Sequence, residues 1–177
     1  MTEELETISS FLHSKAAEVG ASHHTLAAYA HDLKAFSRWC KKRKTSLMAL
    51  SRNEIDYYLI DLTSNGLAAT TRARRLSAIN QYYIFCIEEG WREDNPCYKI
   101  KGSGRIKKLP ATISVKEVDG LLEGAAKSGK TIFDRTRETC LMQLLYATGM
   151  RVSELMALPV ASARGNPKML LVLGKGS

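Results

Sequence analysis

The chain has 177 residues, 45% hydrophobic and 25% charged, which is the composition of an ordinary globular protein with one or two small domains. Lys and Arg number 26 against 18 Asp and Glu, so the formal net charge is +8. Residues 1–100 hold 13 basic and 12 acidic side chains, whereas residues 101–177 hold 13 and 6. This surplus favours a polyanionic partner, namely DNA, RNA or anionic lipid. A solvated basic surface is the alternative.

The sequence has no feature of membrane insertion or export. No apolar run approaches the roughly 20 residues that span a bilayer. The N-terminus, MTEELETISSF, is acidic and lacks the basic and apolar regions of a signal peptide. We therefore predict a cytoplasmic protein that does not contact a membrane.

The four cysteines lie far apart in the sequence. They form no Cys-x-x-Cys pair and have no histidine at the spacing of a zinc site. This pattern indicates reduced thiols, so we predict no disulfide, no metal and no cofactor. The residues concerned are Cys40, Cys86, Cys97 and Cys140.

The first hundred residues carry four stretches with the hydrophobic spacing of amphipathic helices. Ser51 and Glu54 form a capping-box pattern at the start of the third stretch, and Gly66 and Gly90 are placed to end the third and fourth. Short connections between such helices predict a compact four-helix bundle. The stretches cover about residues 5–12, 26–40, 51–62 and 69–89.

A basic segment separates this bundle from the rest of the chain. Asn95-Pro96 ends the helical pattern, and residues 99–108 contain five basic residues, two glycines and no acid. Because such a composition cannot bury a core, we predict a linker over residues 98–111. The linker would join one domain of residues 1–97 to a second of residues 112–177.

The second domain is predicted to begin with helices and to end in a strand. One helix starts at Ser114, a longer one covers about residues 134–147 with Leu141, Leu144 and Leu145 inward, and a short one covers residues 152–158 after Gly149. Residues 168–173 (KMLLVL) have the pattern of a strand. A strand without a partner leaves its backbone groups unpaired, so we expect this domain to be incomplete.

Residues 144–155 read LLYATGMRVSEL, which closely resembles LLYATGLRVSEL, the box around the first catalytic arginine of tyrosine recombinases. Residues 172–177 (VLGKGS) resemble the family's β-hairpin turn that bears a catalytic lysine. At Asn80 the family commonly has an arginine, so one phosphate contact is lost there or comes from a neighbour. The resemblance covers the whole chain and is closest to the Xer type. It extends to residues 76–78 and 92–96 and to Thr25, Tyr29, Asp32, Leu33 and Phe36.

The resemblance implies a mainly α fold: an N-terminal four-helix, SAM-like core-binding bundle followed by the start of an α+β catalytic domain. It implies that Arg151 holds the scissile phosphate, Lys175 protonates the departing 5′-hydroxyl and Glu154 braces the site. Alternatively, Arg151 only caps the preceding helix and Lys175 only solubilises a hairpin. The family's His-x-x-Arg and tyrosine nucleophile follow the lysine turn and have no counterpart in these 177 residues. We therefore expect this chain not to cleave DNA.

The fourth predicted helix is the strongest candidate for DNA contact. It has no acidic residue between Thr70 and Ile87. A polar and basic face opposite its apolar stripe could lie in the major groove, with arginines on phosphates or guanine edges. An exposed, solvated face is the alternative. The candidates are Thr71, Arg72, Arg74, Arg75 and Gln81, and weaker candidates for backbone contact are Lys41, Lys42, Lys107 and Lys108.

Together these features predict a site-specific recombinase that acts through a phosphotyrosyl intermediate, without metal or nucleotide. The resemblance implies duplex DNA at a specific recombination site, a related recombinase in a tetramer, and activation by a septal DNA translocase during chromosome-dimer resolution. One alternative is a phage or transposon integrase with the same chemistry. Another is a non-catalytic DNA-binding protein that kept the fold.

Overall fold

The computed structural model is mainly helical and divides the chain into two compact units, residues 1–108 and 109–177. In the parts that are described, no strand occurs and no helix is long and apolar enough to cross a membrane. Met169, Leu170 and Val172 do not adopt the strand predicted there, and the rest of that segment lies outside the described residues. The structure describes residues 3–17, 20–100, 112–164, 169, 170 and 172.

The first unit contains the four predicted helices, which are confirmed. The third begins with the predicted capping box, in which the Glu54 carboxylate accepts a hydrogen bond from the Ser51 backbone N–H at 2.7 Å. Gly66 and Gly90 follow the third and fourth helices with φ of 74° and 71°, as expected of helix stops. The helices are α1 (Glu3–Ala17), α2 (His23–Lys42), α3 (Arg52–Ser64) and α4 (Ala69–Glu88), with a 3-10 turn at Leu47–Ala49.

Aromatic and aliphatic side chains from all four helices form one core. Phe11 of α1 packs against Tyr29, Tyr82 and Phe85, with ring centroids 5.6 to 5.8 Å apart. Each large apolar side chain buried in this way contributes about 1.5–3 kcal/mol to folding. Other fully or almost fully buried members are Leu33, Phe36, Leu47, Ile55, Tyr58, Ile79 and Tyr83.

Arg92 fastens the end of α4 to the turn between α2 and α3. Its guanidinium donates hydrogen bonds to the carbonyl oxygens of Met48 and Leu50, and it lies 5.3 Å from the centre of the Tyr83 ring. Only 10% of the side chain is exposed, and Asp94 balances its charge at 2.6 Å. One buried cation thus joins segments that are about 40 residues apart in sequence.

The residues after α4 remain packed on the bundle beyond the predicted domain end. The Asn95 side chain donates a hydrogen bond to Asn80 at 2.9 Å and accepts one from the Cys97 backbone at 2.8 Å. Cys97 is 5% exposed, and Ile100 packs against the core. Ile100 therefore packs on the first unit, although composition alone placed it in the predicted linker.

The second unit consists of short helices with local caps. Ser114–Glu117 and Thr131–Asp134 form capping boxes at the first two helices. The second helix begins two residues before the predicted position, because Thr131 supplies a cap that the hydrophobic pattern does not show. The helices are α5 (Val115–Lys127), α6 (Ile132–Thr148) and α7 (Val152–Met156), followed by a 3-10 turn at Val160–Ala163.

The second unit buries little of its apolar surface. Among its described residues, Ala125 and Leu155 are the only buried hydrophobic side chains. Phe133 and Met156 are 71% and 69% exposed. The predicted inward residues Leu141, Leu144 and Leu145 are only half-buried. Because burial of apolar area is the main favourable contribution to folding, this unit has a much smaller source of stability than the first.

We expect the second unit to unfold at a lower urea concentration than the first. Both tryptophans, Trp39 and Trp91, belong to the first unit, whereas helical circular dichroism reports on both. The circular dichroism should therefore begin to fall before the tryptophan fluorescence changes, and trypsin should cut first within residues 101–108. Coincident unfolding curves would contradict the prediction, because they would indicate one cooperative transition.

A second prediction concerns the thiols. Burial raises the pKa of Cys40 and Cys97 to about 12 and that of Cys86 to about 11, whereas Cys140 is exposed. Since the thiolate is the reactive form, the buried thiols should react very slowly at pH 8. Ellman's reagent should modify one thiol per native chain rapidly and all four in denaturant. Cys140→Ser should abolish the rapid phase, and a rapid phase of more than one thiol would refute this account of the core.

Candidate nucleic-acid interface and arginine box

Charge is segregated among the helices of the first unit. The acids are concentrated on α1 and α3, whereas α2 and α4 each contain a single one, Asp32 and Glu88. These two helices pack against each other. Residues 1–100 are nearly neutral as a whole, with 13 basic and 12 acidic side chains, yet their α2–α4 side presents a basic surface of the kind that attracts nucleic acid.

The exposed stripe of α4 differs from the predicted one. Thr70, Arg74 and Ser77 are exposed and follow helical spacing, with the half-exposed Gln81 next along the stripe. Thr70 and Ser77 were not among the predicted contacts. They could have been found from the same spacing, which places them on either side of Arg74.

Two predicted arginines do not lie opposite the apolar stripe. Arg75 lies on the same side of α4 as Tyr82 and Cys86, and only 17% of its side chain is exposed. The Arg72 guanidinium turns back to donate a hydrogen bond to the Leu67 carbonyl oxygen at 2.5 Å. Thr71 is half-buried. The predicted face was therefore too wide, and Arg74 is the one exposed arginine among its predicted residues.

Asp32 of α2 lies beneath the two arginines of α4 and is 1% exposed. Arg74 donates a hydrogen bond from Nη1 to Oδ2, and Arg75 Nε lies 3.8 Å from Oδ1. The Arg75 guanidinium also reaches the Tyr58 hydroxyl at 3.5 Å, while its Nε has no hydrogen-bond partner. A buried carboxylate requires such partners, because isolated burial of a charge is very unfavourable.

Sequence reasoning did not assign a role to Asp32, although a signal was present. Asp32 occurs in the apolar stripe of α2, between Tyr29 and Phe36 and next to Leu33. An acid at such a position needs a basic partner from another helix. The helix α4, which has no acid before Glu88 and carries Arg74 and Arg75, is the obvious source.

A second basic stripe runs along α2. His31, Lys34, Arg38 and Lys41 are exposed at helical spacing, and Lys42 adjoins them. His31 Nδ1 lies 3.5 Å from Asp32, which Arg74 also contacts, so the α2 and α4 stripes meet at this carboxylate. Lys41 and Lys42 were predicted, whereas Lys34 and Arg38 were missed. Lys107 and Lys108 lie outside the described residues.

In the second unit, Arg151 and Glu154 form a compact pair at the start of α7. The Glu154 carboxylate accepts hydrogen bonds from the Arg151 backbone N–H and from Nη1, both at 2.7 Å. These hydrogen bonds hold the pKa of Glu154 below its ordinary value. The Arg151 side chain is 69% exposed, whereas that of Glu154 is 14% exposed.

This pair can hold an anion without losing its structural contacts. A guanidinium has five N–H donors, and one Nη of Arg151 is occupied by Glu154, so further donors face solvent. A phosphate could accept two of them at once. Gly149, with φ of 65°, ends the preceding helix, so Arg151 does not cap that helix. The predicted partner Lys175 lies outside the described residues.

No group of three or more His, Cys, Asp or Glu side chains that could hold a metal occurs in the parts that the structure describes. Among the described residues, Asp32 is the one carboxylate that forms an ion pair with a side chain of the two stripes. The exposed donors of both sites are positively charged groups, which suit an anionic ligand.

Most of the chain is similar in sequence to known proteins. Residues 8–90 match the N-terminal SAM-like domain of phage integrases. The tyrosine recombinase XerD of Agrobacterium fabrum is 41% identical over 174 residues, covering 96% of this chain and 53% of that protein. XerD of Rhizobium meliloti is 38% identical over 174 residues (96% and 56%), and XerD of Caulobacter vibrioides is 37% identical over 166 residues (94% and 54%).

The chain thus spans about half the length of the curated relatives it matches. Its bundle matches the phage integrase domain, and the similarity to the XerD relatives continues through the arginine box. Residues 8–90 are thus similar to the N-terminal SAM-like domain of phage integrases, and the chain as a whole is similar to Xer-type tyrosine recombinases.

Proposed function

We propose that this chain grips duplex DNA for a site-specific tyrosine recombinase. The observation that carries the proposal is the exposed Arg151 guanidinium, held by Glu154 inside the LLYATGMRVSEL box. The basic stripes of α2 and α4 supply a surface that binds the duplex. Lysines and arginines on such a surface replace condensed counterions along the DNA backbone.

In the proposed reaction, a tyrosine oxygen attacks the scissile phosphorus and the bond from phosphorus to the 5′-oxygen breaks. Arg151 stabilises the negative charge on the non-bridging oxygens, and Lys175 gives a proton to the departing 5′-hydroxyl. The phosphotyrosyl bond conserves the energy of the phosphodiester. A 5′-hydroxyl can then attack that bond and rejoin the strand, so neither a nucleotide nor a metal is needed.

None of the seven tyrosines of this chain is assigned as the nucleophile. Tyr58, Tyr82 and Tyr83 are buried, and burial raises the pKa of each. Tyr146 is the one tyrosine in the same unit as Arg151, and it is 59% exposed on α6. The proposal places the nucleophile in the part of the relatives' length that this chain does not span.

The proposed cellular role is chromosome-dimer resolution in the cytoplasm. The substrate would be duplex DNA at a specific recombination site, bound by a tetramer that includes a related recombinase and is activated by a septal DNA translocase. The relatives described above are all named XerD, which favours this role over a phage or transposon integrase. The retained Arg151–Glu154 pair supports an enzyme rather than a DNA-binding protein that has lost catalysis.

The first prediction from this proposal is a strong salt dependence of DNA binding. If about five phosphates are neutralised, the logarithm of the affinity should fall against the logarithm of salt concentration with a slope of about −4 to −5. Lys34→Ala combined with Arg38→Ala should reduce the slope by about two. Fluorescence anisotropy with a labelled duplex measures both quantities.

Arg52→Ala is the control, compared per charge removed, because Arg52 is exposed on α3 and belongs to neither basic stripe. It removes one positive charge and should leave the slope unchanged. An affinity that does not depend on salt would refute the proposed surface. Equal effects of the α2 and α3 substitutions would show that net charge, and not the α2–α4 side, determines binding.

The second prediction is that this chain forms no covalent bond to DNA. A nicked suicide substrate traps a phosphotyrosyl intermediate, which appears as a shifted protein–DNA band on a denaturing gel. We expect no band with this chain, since Arg151 and Lys175 stabilise and protonate but cannot replace the nucleophile. A band should appear with a full-length relative, and its loss in that protein's variant at the position matching Arg151 would support the role given to this arginine.

A covalent band with the present chain would show that one of its own tyrosines is the nucleophile. Tyr146→Phe would then be the first variant to compare, since Tyr146 lies in the same unit as Arg151. Loss of the band in that variant would move the nucleophile into the arginine box and overturn the proposed assignment.

A further inference from the structure

The two arginines that contact the buried carboxylate of Asp32 differ in their exposure to solvent. Arg75 is 17% exposed and is enclosed between Asp32 and the Tyr58 hydroxyl, so its contacts lie within the bundle. Arg74 is 47% exposed and donates a hydrogen bond from one Nη to Asp32. Its remaining N–H donors are therefore available on the exposed stripe of α4, between Thr70 and Ser77.

The contact with Asp32 restricts the orientation of Arg74. An exposed arginine ordinarily samples many rotamers, and ordering it on binding reduces the affinity gained from each contact. A guanidinium that is fixed at one end by a buried carboxylate presents its other donors as a rigid, planar fork. Such a fork can donate two hydrogen bonds to the O6 and N7 acceptors of guanine in the major groove, and its fixed orientation favours one base position over the others.

We propose that Asp32 is a positioning residue for DNA recognition, which fixes the Arg74 fork so that it reads a base edge in the major groove. This inference rests on the proposed function and adds to it the origin of sequence discrimination. Asp32 contacts no DNA in this proposal. It acts through Arg74, while Arg75 compensates the remaining negative charge.

A positioning role for Asp32 predicts a change in DNA selectivity that a purely structural role does not predict. Replacing the carboxylate by an amide in Asp32→Asn removes one negative charge and releases two arginines. The variant should bind unselected DNA as well as the wild type or better, with a salt slope steeper by about one for each new phosphate contact. Its preference for the selected sequence should fall by about tenfold, the size of one bidentate base contact.

The experiment uses the 177-residue chain and two probes. One is the duplex most enriched from a randomised pool by the wild-type chain, and the other is a scrambled duplex of the same length and composition. The ratio of the two affinities and the salt slope are measured by anisotropy for the wild type, Asp32→Asn, Arg74→Lys and the double variant. Arg52→Ala is the control that should keep the wild-type ratio, and circular dichroism establishes that each variant is folded.

A lower ratio in Asp32→Asn, with affinity for the scrambled duplex retained, supports the proposal. The double variant should then lose no more discrimination than either single variant, because both changes remove the same fork. An unchanged ratio of the two affinities in Asp32→Asn overturns the proposal. A proportional loss for both duplexes also overturns it, since that result assigns Asp32 to stability alone.

If Asp32→Asn does not fold, Arg74→Lys decides the question. Lysine keeps the positive charge but lacks the planar fork, so the ratio should fall while the scrambled duplex is still bound. An unchanged ratio in this folded variant overturns the proposal. If the wild-type chain binds DNA but enriches no sequence, the proposal for Asp32 is refuted and the proposed function is not. The absence of any DNA binding would refute both.

Discussion

The packing of α2 against α4 is the contact on which both the core and the proposed DNA surface of the first unit depend. Apolar side chains such as Phe36 and Ile79 are buried within the bundle, which leaves the basic sides of both helices in solvent. At the border between these two environments lies Asp32, buried and paired with Arg74 and Arg75. The same interface therefore stabilises the bundle and brings the two basic stripes together.

That arrangement explains why residues 1–100, which are nearly neutral in total, can present a strongly basic side. Net charge alone does not indicate where a polyanion binds, because the acids of α1 and α3 offset the bases of α2 and α4. The field near the surface depends on the local distribution, and charges farther apart than about 8–10 Å are largely screened at physiological salt. The distribution of charge among the helices therefore determines where a polyanion can bind, and this distribution is seen in the structure.

The sequence predicts the helices well because their determinants are local. Hydrophobic spacing, the capping box of Ser51 and Glu54 and the glycine stops all act within a few residues, so they can be recognised without knowledge of the fold. The roles of Asp32 and Arg92 are different. Each makes contacts with residues about 40 positions away, and those contacts depend on how the helices pack.

The same distinction explains the error at Arg75. A helical projection shows the direction in which each side chain projects from the helix axis. It does not show how much of the helix surface is buried, because the neighbouring helix determines that. Arg75 leaves α4 beside buried Tyr82, and the presence of Asp32 and Tyr58 across the interface makes its burial possible. The width of a buried face is therefore a property of two helices together and cannot be taken from either sequence segment alone.

The arginine box is predicted from sequence for a related reason, since its geometry is almost entirely local. Arg151 and Glu154 are three residues apart, and the carboxylate binds both the backbone N–H and the guanidinium of the same residue. This pair can keep its shape in a unit that buries few apolar side chains, because it needs no support from a distant segment. Contacts between residues that are close in sequence cannot position the remaining groups of an active site. In the proposed reaction, a phosphate held by Arg151 would also need a nucleophile and a proton donor at fixed distances, and such distances depend on a packed core around the box. The local pair would therefore supply the phosphate contact alone, and long-range packing would have to position the other reacting groups.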